Sequence, residues 1–370
     1  MPKRTQQSAR PLAGRVAVVA GATRGAGRGI ARALGEAGAT VYCTGRSVTG
    51  SPSPYGRPET IDETAEMIVR AGGSAIPLRV DHTLEPEVET LFSRVDGEHG
   101  RLDILVNSIA GEDPMMGQYG WFWSTDLTHG STVFRQSILS HIITAKHAAP
   151  LMIRNRQGLI VEVTENNVLI AGGNPLAQTV KLALKGLAFS MAVELHPHGV
   201  AAVAVTPGYL RSESMLQHYG VTEENWRDGG KKDKNFLASE TPLFVGRAVA
   251  ALAQDPQILR KSGHLFSSWE LAREYKFTDA DGSRPDWGAT TIDFSRHPPE
   301  LLALMRTGSE ISIEWLTQLT QRTKQFMKQL PAPGAPRAKA AALKKTKTAV
   351  RRKKVAAKGS ARRPQKRARR

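Results

Sequence analysis

The chain has 370 residues, 40% of them hydrophobic, a single cysteine and a formal net charge of +17 at pH 7. The length suits one large α/β domain with additions, while the lone Cys43 excludes a disulfide framework and favours the reducing cytoplasm. Neither a secretory leader nor an apolar run approaching ~18 residues is visible, so we expect no membrane span.

The positive charge is confined to one end of the chain. Residues 331–370 contain 16 Lys or Arg and no Asp or Glu, which leaves 35 basic against 34 acidic side chains in residues 1–330. The body of the protein is therefore nearly neutral. Any binding of nucleic acid predicted from charge belongs to the tail alone.

The first predicted elements are a strand, a glycine-rich turn, a helix and a second strand. A short apolar run at residues 16–20 predicts a buried strand, and the next such run covers residues 39–43. Between them, Gly21, Gly25 and Gly27 precede apolar residues at helical spacing. Glycine allows close approach of a ligand to the backbone, and a helix N-terminus favours an anion.

The spacing of this turn is G-x-x-x-G-x-G, which is neither G-x-G-x-x-G nor a phosphate-binding P-loop. Glycines at a strand–helix turn can serve packing only, but the flanking elements favour a dinucleotide site. No acid ends the second strand, and Arg24 and Arg46 could bind a 2′-phosphate. We therefore predict NADP(H) rather than NAD, the alternative being that both arginines are ordinary surface residues.

Strands and helices continue to alternate along the chain. Further strands are predicted at residues 75–80 and 102–106, followed by Asp81 and Asn107. This alternation predicts a doubly wound parallel sheet, whose ligand crevice lies at the carboxyl ends of the strands. The remaining predicted elements are helices at residues 131–153, 177–196 and 245–253 and strands at residues 158–163, 200–206 and 264–267.

Two connecting segments stand out. Residues 115–123 crowd two Met, one Tyr, two Trp and one Phe into nine positions. They could wall an apolar substrate pocket, or pack locally or in a subunit interface. Residues 209–240 are polar and irregular, as expected of a mobile lid or a substrate loop.

Several of these segments together resemble the classical short-chain dehydrogenase/reductase family over residues 12–268. They are GATRGAG at the first turn, Asp81, LVN ending at Asn107, HAAPLMI, VKLALKGLAFSMAVEL and VTPG. The WFW loop and SSWELAREY are similar to a bacterial branch related to dehydrogenase/reductase SDR family member 1. The resemblance implies a Rossmann-type three-layer α/β/α fold, a seven-stranded sheet of order 3-2-1-4-5-6-7 and a homodimer or homotetramer.

The resemblance also implies the cofactor contacts. Lys181 matches the lysine that binds the nicotinamide ribose. The other implied contacts to NADP(H) are Gly21, Thr23, Arg24, Gly25, Gly27, Arg46, Asp81, Asn107, Pro207 and Gly208. No metal site is assigned.

The implied catalytic set is degenerate. Ala177 stands where the family has its proton-transferring tyrosine, Thr164 (or the adjacent Glu165) matches the serine, and Ser137 matches the asparagine, so the candidates are Lys181, Thr164 and Ser137. Losing a general acid typically costs about 10²–10⁴-fold in rate. Lys181 could replace it, as could His141, although His141 also fits a packing role.

The implied cofactor contacts and the degenerate catalytic set leave two alternative functions. The first is an NADP(H)-dependent oxidoreductase transferring hydride to or from a small carbonyl or alcohol. The alternative is a catalytically silent NADP-binding relative that acts as a sensor or scaffold, with a tail contacting nucleic acid.

The chain is predicted to divide into four parts. Residues 1–11 form a short basic arm, residues 12–268 the NADP-binding domain, and residues 269–330 an extension with an amphipathic helix. Residues 331–370 form a disordered Lys/Arg/Ala-rich tail. Such a tail would bind nucleic-acid phosphates without sequence preference; a solvated tail or attraction to acidic membranes are the alternatives.

Overall fold

The computed structural model describes residues 10–51, 53, 56–110, 123, 126–128, 130–166 and 175–290. These residues belong to one compact unit, residues 1–298. The predicted arm at residues 1–11 falls almost wholly outside the described residues. So do most of the apolar loop, the amphipathic helix and the basic tail.

The first half of the unit alternates strand and helix. Its elements are β1 (Val16–Ala20), α1 (Gly25–Glu36), β2 (Thr40–Gly45), α2 (Ile61–Arg70), β3 (Ser74–Arg79), α3 (Glu85–His99) and β4 (Ile104–Asn107). Local chemistry sets several helix ends: the Thr60 side chain accepts from the Glu63 N–H to start α2, and Gly100 ends α3 with φ +64°.

The second half contains longer helices and the segment at residues 209–240. Its elements are α4 (Gly130–Phe134), a π-helical turn (Arg135–Leu139), α5 (Ser140–Arg154), β5 (Gly158–Val163), α6 (Pro175–Leu195), β6 (Val200–Thr206), α7 (Glu213–Tyr219), α8 (Pro242–Gln254), β7 (Leu265–Ser267) and α9 (Ser268–Tyr275).

All seven strands form one parallel sheet of order β3-β2-β1-β4-β5-β6-β7, so the predicted fold is confirmed. Ala20 lies opposite both Thr44 and Asn107 in the sheet register. The ends of the central strands therefore meet at one edge, where the turns after them converge.

Two hydrophobic clusters cover the two faces of the sheet. On one face, α1, α2 and α8 pack through side chains such as Leu34, Ile68 and Val249. On the other, α3, α5 and α6 pack on the strands. Alternate residues of the five inner strands, β1, β2, β4, β5 and β6, enter opposite clusters, as the pleat of a strand buried on both faces requires.

The segment at residues 209–240 is more ordered than its polar composition predicted. It contains α7, and Tyr219, Trp226 and Phe236 form a small buried aromatic cluster of its own. Three widely spaced aromatic residues give no periodic pattern, so the sequence concealed this local core.

Helix α6 has an unusual surface. Residues 175–198, which contain it, are long and apolar enough to cross a membrane by length and composition alone, the one such segment within the described residues. The helix nevertheless connects the neighbouring parallel strands β5 and β6 and packs on both. One face of α6 is therefore explained by the sheet, and the opposite face remains exposed.

Candidate cofactor and active site

A cavity of about 420 Å³ lies along the carboxyl ends of the strands. Ten predicted site residues line it: Gly21, Thr23, Arg24, Gly25, Arg46, Asp81, Thr164, Lys181, Pro207 and Gly208. Three others, Gly27, Asn107 and Ser137, do not line its wall. The structure thus brings most of the predicted set together around one space.

The glycine turn is built by close backbone packing. Gly21 has φ +85°, and a Cβ there would lie 2.4 Å from the carbonyl oxygen of Ser108. A Cβ on Gly27 would lie 2.1 Å from the carbonyl oxygen of Gly21. Gly27 therefore lets α1 pack against the turn, and Gly21 and Gly25 face the cavity.

Three arginines and one acid surround the end of the cavity next to β2. Arg24 contacts Glu59 and Ser53 at 3.3 Å each, and Arg57 Nε donates to Glu59 at 3.0 Å. Burial opposes ionisation of Glu59, but Arg57, its own backbone and Arg24 together lower the pKa of this carboxyl. Arg46 lines the same region. Glu59, which forms an ion pair with Arg24, was not predicted from the sequence.

Asp81 lies at the end of β3 and also lines the cavity. Its Oδ1 accepts from the Thr83 N–H at 2.9 Å and from the Thr83 hydroxyl at 2.7 Å. Burial works against ionisation, but these hydrogen bonds, helped by Arg46, bring the pKa of Asp81 below its usual value. Asp81 is thus an ionised hydrogen-bond acceptor in the cavity wall.

Asn107 turns away from the cavity into a buried polar network. Its Nδ2 donates to Glu162 Oε1 at 2.7 Å, and Glu162 Oε2 lies 2.5 Å from His141 Nδ1. The other ring nitrogen of His141 lies 3.0 Å from the carbonyl oxygen of Ile109, which lines the cavity. Both ring nitrogens of His141 therefore lie within hydrogen-bond distance of oxygen atoms.

His141 and Asn107 therefore support the floor of the cavity from below, which agrees with the packing role left open for His141. Glu162 was not singled out from the sequence. A signal for it existed, because it is the one acid within the apolar run of β5.

His82 is a second buried histidine that the sequence analysis missed. Its ring bridges Thr44 on β2 at 2.8 Å and Thr144 on α5 at 2.9 Å, and it lines the cavity. Burial, with a smaller contribution from His141, lowers the pKa of His82 to about 3. His82 is thus a neutral link between β2 and α5.

Lys181 and Thr164 lie together at the other end of the cavity. The Thr164 hydroxyl donates to the carbonyl oxygen of Lys181 at 2.9 Å, and Lys181 Nζ lies 4.0 Å from Glu165 Oε2. Lys185 lies one turn further along α6, where desolvation lowers its pKa, opposed by Glu165 and assisted by Lys181. Ala177, one turn before Lys181, offers no side-chain proton.

Ser137 lies in the π-helical turn and is fully buried. Its hydroxyl has no hydrogen-bond partner among the described residues. Such π turns inside helices often mark functional sites. Here, however, the turn places Ser137 behind the wall of the cavity rather than on it.

The Pro207-Gly208 turn after β6 is held by a buried acid. Glu240 Oε2 accepts from the Gly208 N–H at 2.9 Å and from the Ser268 hydroxyl at 2.6 Å, whereas Glu240 Oε1 has no partner among the described residues. Desolvation raises the pKa of Glu240 to about 8. No sequence pattern indicates this contact, because Glu240 lies 32 residues from Gly208.

A family model described as short chain dehydrogenase matches residues 15–220. The chain therefore belongs to the short-chain dehydrogenase/reductase family and is an oxidoreductase by family. The dehydrogenase/reductase SDR family member 1 of Homo sapiens is 37% identical over 278 residues, which cover 74% of this chain and 86% of the relative. The Mus musculus protein of the same name is 36% identical over 277 residues, covering 74% and 85%.

Solved structures agree on the fold. A short-chain type dehydrogenase/reductase from Mycobacterium marinum superimposes with a TM-score of 0.56 at 23% identity, covering 69% of this chain and 94% of that chain. A hydroxysteroid dehydrogenase from Escherichia coli gives a TM-score of 0.55 at 23% identity, covering 69% and 95%. The predicted family and its branch are confirmed, and the relatives' names favour an oxidoreductase over a silent relative.

Proposed function

We propose that the protein is an NADP(H)-dependent oxidoreductase that transfers hydride to or from a small carbonyl or alcohol. The observation that supports this most directly is the single cavity shared by the glycine turn, two arginines and Lys181. Its two ends have the chemistry that the two ends of such a cofactor require: cations near β2, and an amine beside a hydroxyl near β5.

The residues fit a dinucleotide. Gly21 has no room for a Cβ, and the backbone of Gly21, Gly25 and Gly208 borders the cavity. The turn at the start of α1 would hold the pyrophosphate, and Lys181 with Thr164 would hold the nicotinamide end. When bound, the nicotinamide supplies or accepts the hydride. The protein has to orient the substrate and to donate one proton to, or accept one from, the substrate oxygen.

Lys181 is the group we propose for the proton. Its ammonium lies in the cavity wall, whereas the hydroxyl of Thr164 is directed to a backbone carbonyl and Ala177 has no polar atom. Glu165, at 4.0 Å from Lys181 Nζ and largely exposed, can exchange that proton with solvent.

The preference for NADP(H) rests on Arg46 and Arg24. Arg57 contacts Glu59 through two nitrogens, so Arg24 shares an acid that is already paired. A 2′-phosphate would meet both cavity arginines, and charge-assisted contacts to phosphate are strong.

A fluorescence titration of the full-length chain with NADPH and with NADH tests this assignment. We expect selective binding of NADPH, and Arg46→Ala should weaken NADPH binding about tenfold while changing NADH binding little. Arg32→Ala, on the exposed side of α1, is the control. Equal affinity for the two cofactors in the wild type would contradict the NADP(H) preference, and no binding to either would contradict the function.

We also propose a homo-oligomer, a dimer or tetramer, formed through the exposed face of α6. Leu182, Phe189 and Val193 lie on one side of that helix and are 46–62% exposed. Leu139 and Ile142, near the start of α5, are exposed on the same side of the sheet. An apolar area of this kind on a soluble protein usually marks an interaction surface.

The basic tail and the cytoplasmic location remain proposals from the sequence. Residues 331–370 would attach the protein weakly to nucleic acid through phosphate contacts. A gel shift of full-length protein on duplex DNA should show binding that disappears as salt rises. Absence of a shift even at low salt would remove this partner.

A further inference from the structure

Helix α7 borders the cavity between the glycine turn and the Pro207-Gly208 turn, where Ser214 and Met215 line the space. Two of its side chains reach the opposite wall. Glu213 contacts the start of α1, and Gln217 Oε1 accepts from Arg57 Nη1 at 2.7 Å. The helix therefore bridges the cleft at two points.

The Glu213 contact is made to an anion-binding position. Its Oε2 accepts from the Gly25 N–H at 2.8 Å, the first N–H of α1, and its Oε1 lies 3.3 Å from Arg28 Nη1. Free N–H groups and the helix dipole make this end of α1 favourable for negative charge. A carboxylate from 188 residues along the chain already holds this position.

The pyrophosphate of a dinucleotide needs the same end of α1. The Gly25 N–H cannot donate fully to both the Glu213 carboxylate and a pyrophosphate, and these two anions would repel each other if they lay side by side. We propose that Glu213 is a competing anion, which occupies the pyrophosphate position at Gly25 and holds α7 closed, so that cofactor binding and release of this contact are coupled. The inference rests on the proposed function, because the displacing group is the pyrophosphate of the cofactor.

The contact is suited to reversible release. Arg28 keeps its hydrogen bonds to Glu63 at 2.7 Å and to the Thr23 carbonyl oxygen at 3.0 Å when Glu213 leaves. The Glu213 side chain is 25% exposed, so water can solvate it as it moves. Arg57 likewise retains Glu59 when Gln217 leaves. Opening α7 therefore leaves no buried charge unpaired, which is the condition for a low opening cost.

The direct test compares NADPH binding by full-length wild type, Glu213→Ala and the control Glu224→Ala. Glu224 is an exposed acid of the same segment, so its loss changes net charge equally without touching the glycine turn. We expect the dissociation constant for NADPH to fall roughly three- to tenfold in Glu213→Ala and to stay unchanged in the control. Unchanged or weaker binding in Glu213→Ala would overturn the proposal.

A second readout needs no cofactor. The Gly25 amide should be protected from hydrogen exchange in the wild type, and Glu213→Ala should accelerate its exchange while the control does not. Equal exchange in wild type and Glu213→Ala overturns the contact itself. If neither the wild type nor either variant binds NADPH, the proposed function fails. The exchange measurement still decides whether Glu213 holds α7 to the glycine turn.

Discussion

At the scale of single residues, the proposed proton transfer depends on Lys181, because the family resemblance predicts that Ala177 stands in the position of the catalytic tyrosine. The Lys181 side chain lies in the cavity wall. If Lys181 manages the proton, Lys181→Met should lower NADPH-dependent turnover of an aldehyde or ketone about 100-fold or more. Lys181 is also a proposed cofactor contact, so cofactor affinity has to be measured beside turnover.

The matched variant is Ala177→Tyr, which returns a phenol one helical turn before Lys181. We expect it to raise turnover, because a phenol beside an ammonium is a better-placed acid than a lysine alone. Steady-state rates of both variants, corrected for NADPH affinity, check this. Wild-type turnover that survives Lys181→Met undiminished would assign the proton to another group.

Glu240 gives a second prediction at the residue scale. Its folded-state pKa of about 8 lies above the usual value of 4.5, so the folded protein binds a proton that the unfolded chain releases. The contribution of Glu240 to stability is therefore full below pH 4.5 and is lost as pH rises towards 8. Asp279 adds to this effect and Arg211 opposes it.

Glu240→Gln should remove this pH dependence. Relative to the wild type, its free energy of unfolding should rise with pH between about pH 5 and 8, at most about 1.4 kcal/mol per unit, and then level off. Urea unfolding at a series of pH values measures the difference. Glu89→Gln, an exposed acid of α3, serves as control. A constant difference across the series would mean that Glu240 is ionised throughout.

At the scale of elements, α1 has to lie very close to α8 to deliver its N-terminus to the cavity. A Cβ on Gly29 would lie 1.9 Å from the Pro242 carbonyl oxygen, and one on Gly246 would lie 2.3 Å from the Gly29 carbonyl oxygen. The two backbones are thus in direct contact. A side chain there would have to push the helices apart, and the glycine turn would move with α1.

Gly29→Ala should therefore destabilise the protein by about 2–3 kcal/mol. Gly97→Ala on α3 is the matched control, because nothing lies within 4 Å of a Cβ there, and it should stabilise by about 0.5–1 kcal/mol through helix propensity. Urea unfolding of both variants decides. Equal changes in the free energy of unfolding at the two positions would show that α1 and α8 can move apart at little cost.

The elements that the sequence predicted well are those with short apolar runs and local signals. The strands before Gly21 and Asn107 were readable because buried parallel strands are apolar throughout and turns follow them. The sequence could not reveal contacts between distant segments, such as Glu240 with Gly208, Glu162 with His141 or Glu213 with Gly25. Each joins acids and backbone groups that only the folded sheet brings together, and no periodicity marks them.

The same limit applies to predicted site residues that do not line the cavity. Asn107 and Gly27 occupy positions typical of cofactor contacts, but the Asn107 side chain donates to Glu162 and the Gly27 backbone packs against Gly21. Sequence position specified the turn, whereas the direction of each group depends on its neighbours in space.

At the scale of the whole molecule, the exposed face of α6 links the site to assembly. The helix that presents Lys181 to the cavity also presents Leu182, Phe189 and Val193 to solvent. Its buried side, by contrast, is made of small or aliphatic residues such as Val180, Leu184 and Ala188. Covering the exposed side with a second copy would fix α6 from both sides and so hold Lys181 steady.

If this face forms the subunit contact, Phe189→Glu should convert the oligomer to a monomer, because an unpaired charge in an apolar interface costs several kcal/mol. Val69→Glu is the control: Val69 is 56% exposed, but on α2, which covers the opposite face of the sheet. Light scattering coupled to gel filtration gives the mass of each variant. We expect an oligomer for the wild type and Val69→Glu and a monomer for Phe189→Glu. A monomeric wild type would contradict the proposed oligomer, and dissociation by Val69→Glu alone would place the subunit contact elsewhere. In either case α6 would depend on the sheet alone to position Lys181.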